Sequence, residues 1–139
     1  MQPDILTQLA KQLYDLRDAG RIIPFVRVGI GDGSAPGDWK PAPKFCHANV
    51  ETWVMRSPEY AIVRGWVVFD QSNQSIVPRP RFHFAAHSVI GTPDGKLLDI
   101  TPSGISQPYP FIRHPGTTVE FDQLRNRYQL MFIDHYLDT

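Results

Sequence analysis

RFHFAAHSVI (residues 81–90), GTPDG (91–95) and KLLDI (96–100) form the stretch on which the fold turns. The first run is apolar and aromatic at most positions and reads as a strand. Thr92-Pro93-Asp94-Gly95 is a turn sequence, and residues 96–100 read as the returning strand. The two should pair as an antiparallel hairpin. Side chains alternate between the faces of a strand, so register decides which residues meet. In one register His87 stands directly opposite Asp99. Shifted by two residues, they become diagonal neighbours on the same face. Shifted by one, they lie on opposite faces and cannot pair.

Working outward, residues 61–69 read as another strand, with Gly65-Trp66 inside it, and a polar stretch at 71–75 links it to the hairpin. Upstream, Cys46 opens a helical pattern whose apolar stripe is Val50, Trp53 and Val54, and Pro58 stops it. Ile5, Leu6, Leu9, Leu13 and Leu16 recur at helical spacing after Pro3 and Asp4, with Gly20 and Pro24 as stop signals. Residues 25–28 read as a short strand, followed by a long loop at 29–43. That loop contains GIGDG (29–33), but no helix follows directly to aim its N–H groups at a phosphate, so it reads as a surface loop. Downstream, residues 111–112 and 117–121 read as strands, 122–126 as a helical turn and 128–136 as a final strand. The order is helices first, then mostly antiparallel strands. That predicts one α+β domain over residues 1–139, with N-terminal helices packed on the sheet.

Composition narrows the function. Hydrophobic residues make up 42% and charged residues 20%, which suits a packed core. Lys+Arg and Asp+Glu number 14 each, so the basic excess of a nucleic-acid binder is missing. Residues 1–13 carry polar side chains throughout, without the apolar stretch of a signal peptide. No apolar run reaches the length of a membrane helix. A cytoplasmic protein with no membrane partner is the expectation. The 13 prolines cluster around 41–43, 78–80 and 108–115 and read as rigid loops between elements.

The chain has one cysteine, so an intrachain disulfide is impossible. A cysteine in the first turn of a helix meets open N–H groups and the positive end of the helix dipole. Both favour the thiolate, and the same N–H groups can stabilise the oxyanion that forms when a thiolate attacks a carbonyl. If the hairpin register brings His87 to Asp99, the carboxylate can orient the imidazole, whose other nitrogen is then free to act on Cys46 as a general base.

Cys46-His47-Ala48-Asn49, Gly65-Trp66, His87-Ser88-Val89 and Asp99-Ile100-Thr101-Pro102, in that order, resemble small bacterial members of the papain-like and transglutaminase-like thiol-hydrolase fold. The resemblance implies a papain-like core, with Cys46 as nucleophile, His87 as base and Asp99 as orienter. It implies acyl transfer from a peptide or small-molecule amide or ester, without cofactor or metal. It departs from papain-type proteases at one position: six residues before the cysteine, where they keep an oxyanion-hole glutamine, stands Lys40. Lys40, Trp39 and Asn49 are the candidates for that donor. Asn49, on the same helix face as Cys46, either contacts substrate or anchors the loop before the helix. His47 joins them as a candidate binding residue.

Two other readings stay open. His83 and His87 share a strand face and would converge with Cys46 or His47 on zinc, although residues four apart on a strand are about 13 Å apart. Alternatively, the domain is a non-enzymatic binding module on a hydrolase-like scaffold, with the aromatic and proline-rich residues 109–111 as its contact surface. His114 and His135 have no partner legible in the sequence.

Overall fold

The computed structural model describes residues 4–19, 25–30, 39–73, 79–102, 109–129 and 132–137. The GIGDG loop, and Gly20 and Pro24, fall outside these residues apart from Gly29 and Ile30. Among those described, three helices and six strands make an α+β domain: α1 Ile5–Asp18, β1 Phe25–Ile30, α2 Cys46–Arg56, β2 Ala61–Gln71, β3 Arg81–Gly91, β4 Leu97–Asp99, β5 Tyr109–Arg113, α3 Thr118–Tyr128 and β6 Phe132–Tyr136. Helices do not simply precede strands: β1 stands between α1 and α2, and α3 follows β5. No described helix is long and apolar enough to cross a membrane.

The sheet runs β2-β5-β1-β4-β3-β6, and β2 also pairs with β3. Five strands therefore close a ring of pairings, with β6 attached outside it on β3. All the pairings are antiparallel except β1 with β4. The longest ladder joins β2 to β3 along their whole length, from Ala61 opposite Gly91 to Gln71 opposite Arg81. The expected hairpin exists but is short, with Ile90 opposite Leu98 and Gly91 opposite Leu97. In its turn Gly95 takes φ 88°, a conformation that favours glycine, and its N–H donates to the Thr92 carbonyl at 3.0 Å.

On the β3 edge that faces away from β2, β6 covers residues 81–85 and β4 covers 90–91. Among the described residues, 86–89 therefore have a paired neighbour on the β2 side alone. The candidate site lies at this gap.

Strand alternation divides the core. Val63, Val67, Val89, Leu97, Tyr109 and Phe111 point into the ring. Trp66, Val68, Phe82, Phe84 and Ile112 point the other way, under Leu9, Ala10 and Leu13 of α1 and Phe121 of α3. Val50 and Trp53 of α2 pack on Ile90 and Ile100 in a third cluster. The order of 20–25 cal/mol per Å² of apolar area buried makes these contacts the main stabilising term.

Two expectations at the C-terminal end are corrected. Residues 117–121 are not a strand, and the final strand does not begin at Tyr128. Thr117 caps α3 by accepting from the Glu120 N–H at 3.1 Å, and the helix continues to Tyr128. Gln129 then ends it in the left-handed conformation, at φ 50°. The β-branched run Thr117-Thr118-Val119 suggested a strand, but Thr-x-x-Glu at 117–120 is a helix-start sequence that outweighs it. A third correction concerns residues 109–111: Tyr109 and Phe111 are buried in β5, so they offer no contact surface.

Candidate active site

Cys46 is the first residue of α2, whose N-cap Phe45 provides no side-chain hydrogen bond. The earliest intrahelical bond from this end runs from the Asn49 N–H to the Phe45 carbonyl at 2.8 Å. The N–H groups of the first turn thus have no acceptor within the helix or from its cap side chain. The approach to the helix is tightly made. Lys44 sits at φ 68°, and the Asn49 side chain clamps Ala42 through both backbone groups, accepting at 3.0 Å and donating at 2.8 Å. Asn49 also donates to Thr101 Oγ1 at 3.0 Å and is buried. Its amide is committed to anchoring the loop. Trp39 packs against the cluster under α2, and Lys40 is exposed.

His87 lies in the stretch of β3 that is paired with β2 alone, opposite Gly65. Its register with β4 is the one shifted by two, so it is the diagonal neighbour of Asp99. The His87 Nε2 to Asp99 Oδ2 distance is 2.9 Å. Asp99 is 4% exposed, and its oxygens are all engaged: Oδ2 also accepts from the Tyr109 hydroxyl at 2.6 Å, and Oδ1 accepts from the Thr101 N–H at 3.0 Å. With Nε2 taken, the ring nitrogen left free is Nδ1, and His87 is one of the two imidazoles that act on the Cys46 thiol.

These contacts set the charges. Burial alone would push the Cys46 thiol up, but hydrogen bonds from His47 and His87, and their charges, bring it down to about 6. Burial alone would push His87 down, but Asp99 and Cys46, through hydrogen bonds and charge, raise it to about 9. Burial would raise Asp99; the bonds from His87, Tyr109 and Thr101 hold it below the usual carboxylate range. Tyr109 is pushed well above the ordinary phenol range by burial and by the Asp99 charge.

His47 is the second imidazole that acts on the thiol. Its Nδ1 is 2.6 Å from Ser88 Oγ, and Phe121 meets its ring edge-on at 5.7 Å. Ser88 accepts from Arg64 Nη1 at 3.0 Å, and Arg64 Nη2 reaches Glu51 at 2.7 Å and Asp122 at 3.2 Å. Sequence reasoning missed Tyr109, Ser88 and Arg64 as parts of this site. Arg64 had a signal, being the one charged residue in the apolar run of residues 61–69; Tyr109 had none, because its contact with Asp99 depends on the tertiary path of β5.

His83 is placed apart from the thiol. Its Nδ1 bonds Asp134 of β6 at 2.7 Å. Among the described residues, no group of three or more His, Cys, Asp or Glu side chains is placed to hold a metal ion. His114 accepts from Trp66 Nε1 at 3.2 Å, and His135 stacks on Tyr14 with centroids 4.4 Å apart.

Tyr109→Phe removes one of the three donors to a buried carboxylate. It should destabilise the fold by about 1–2 kcal/mol, measured as a lower urea midpoint with unchanged slope. An unchanged midpoint would mean that water replaces the hydroxyl.

No protein-family model, curated protein or solved structure matches this chain.

Proposed function

We propose that the protein is a cysteine-dependent hydrolase or acyltransferase acting on an amide or ester carbonyl, with Cys46 as nucleophile, His87 as proton carrier and Asp99 as orienter. The observation that carries this reading is the pairing of His87 Nε2 with a buried carboxylate at 2.9 Å, in an imidazole that, together with His47, holds down the pKa of a thiol at a helix N-terminus. Desolvated groups in such an arrangement are a recurring mark of acid–base and nucleophilic sites.

With the thiol at about 6 and the imidazole at about 9, the resting pair between those values is thiolate and imidazolium. The attack then needs no prior proton transfer. A sulfur lone pair forms the S–C bond while the carbonyl π pair moves to oxygen. On collapse of that oxyanion the C–N or C–O bond breaks, and the leaving group takes the His87 proton. The resulting thioester is resolved by water or an amine, which gives its proton to His87 as it adds to the carbonyl; the second oxyanion expels the thiolate and the cycle closes. Asp99 holds the ring throughout and stays ionised. The order of nucleophile, histidine and acid over a helix and two later strands supports placing the domain with papain-like and transglutaminase-like hydrolases. The substrate class is a peptide or small-molecule acyl group.

The test uses the single cysteine. Iodoacetamide alkylation of the native protein, followed by mass spectrometry across pH, should rise with a midpoint near 6, against about 8.5 for a free thiol. A thiol that reacts only after unfolding would overturn the proposal.

A further inference from the structure

The proposed reaction gains from a side-chain donor, beside the first-turn N–H groups, for the oxygen that becomes negative when the carbonyl is attacked. Lys40 is exposed, Trp39 packs into an apolar cluster, and Asn49 has committed its amide to Ala42 and Thr101. His47 stands beside the nucleophile, and its ring is held by a chain of side chains from α2, β2, β3 and α3.

The hydrogen of that ring can be assigned from the chain. An arginine guanidinium can only donate. Ser88 Oγ therefore accepts from Arg64 Nη1, at 3.0 Å. Ser88 is 0% exposed, so its own proton needs an acceptor within the protein. Among the described residues that acceptor is His47 Nδ1, at 2.6 Å. In the neutral ring the hydrogen accordingly sits on Nε2. Phe121 against the ring edge limits its swing. Arg64, itself 5% exposed, is held in turn by Glu51 and Asp122. Burying a cation is costly even when it is paired, and here the burial orients the residue next to the nucleophile.

We propose that His47 is a catalytic residue of the acyl-transfer reaction, donating from Nε2 to the oxyanion formed by attack of Cys46, and that Ser88 and Arg64 are the positioning residues that aim this donor. The inference rests on the reading of Cys46 as the acyl-accepting nucleophile. The first-turn N–H groups of α2 supply the other donors.

Two reagents on the same thiol separate this role from a structural one. p-Nitrophenyl acetate acylates sulfur through an oxyanion and releases p-nitrophenolate. Iodoacetamide alkylates sulfur by displacing iodide from a saturated carbon, and no oxyanion forms. The ratio of the two single-turnover rate constants cancels any change in thiolate fraction. His47→Ala should lower the acylation-to-alkylation ratio by about a hundredfold, the usual cost of losing an oxyanion donor. His47→Gln, whose amide N–H can stand near the lost Nε2–H, should recover roughly tenfold of that. Ser88→Ala should give an intermediate ratio, and it decides the matter if His47→Ala fails to fold. A ratio unchanged in His47→Gln and Ser88→Ala overturns the inference and leaves Cys46 as nucleophile. Wild-type protein that alkylates but cannot be acylated overturns both.

Discussion

Replacing His87 with alanine should reduce acyl transfer by roughly a thousandfold or more, because in the proposed mechanism the imidazole sets the charge of Cys46 and also carries the proton. The two effects separate by reagent. At pH 6.5 a thiol at about 6 is mostly thiolate, whereas an ordinary thiol near 8.5 is about 1% ionised. The thiolate population should therefore fall by roughly seventyfold. A more basic thiolate is also a better nucleophile, and that offsets about tenfold of the loss. Alkylation by iodoacetamide at pH 6.5 should then drop only about five- to tenfold. Acylation by an alkyl ester or amide should drop much further, since its alkoxide or amine leaving group also loses the acid that protonates it. The pH dependence follows the same signs. Wild-type acylation should rise as pH increases through about 6, where the thiolate forms, and fall above about 9, where the imidazolium is lost. His87→Ala should lose the upper limb and move the lower one toward 8 or beyond. Stopped-flow acylation across pH measures all three quantities. A variant that keeps the wild-type lower limb would show that the helix terminus and His47, without His87, depress the thiol.

The parts of this site that could be read in the sequence were those set by local rules. Cys46 opens a helix because the apolar stripe of Val50 and Trp53 starts there and Pro58 closes it. His87 and Asp99 share a face because a turn at Thr92 to Gly95 leaves few registers open, and parity excludes half of them. The illegible parts depend on long-range closure. Nothing local in Gly65-Trp66-Val67 shows that it will pair with Phe111, Ile112 and Arg113. Yet that pairing closes the ring and carries Tyr109 to Asp99. The α3 error has a different origin. Val119 and two threonines read as a strand, but the Thr117 hydroxyl accepts from the Glu120 N–H and starts a helix there.

Gly65→Ala should be the most destabilising single methyl addition on β2, and it should damage the site from a distance. Gly65 stands directly opposite His87 in the β2–β3 ladder. On its other side β5 comes very close: a Cβ built at this position meets the Ile112 carbonyl oxygen and the Phe111 ring, with Phe111 Cε1 at 2.7 Å. Neither neighbour can yield cheaply. The carbonyl is backbone, and Phe111 is 0% exposed within the ring of strands. Relief requires β5 to move away from β2, which strains the closure of the ring. Overpacking of this kind costs about 3 kcal/mol or more, a large share of the roughly 5–15 kcal/mol that holds a domain folded. A fall in Tm of about 10 °C is expected. Gly91→Ala, on β3, is the matched control: its Cβ would meet Val63 Cγ2 at 3.5 Å and Ala61 Cβ at 3.7 Å, both ordinary contacts. That variant should stay within about 0.5 kcal/mol of wild type. Because β5 also carries Tyr109, whose hydroxyl holds Asp99 at 2.6 Å, displacing it should loosen the carboxylate that orients His87. Folded Gly65→Ala, at a temperature well below its midpoint, should therefore acylate more slowly than Gly91→Ala. Equal midpoints for the two variants in urea, followed by tryptophan fluorescence, would show that β5 does not press on Gly65 as closely as the pairing requires.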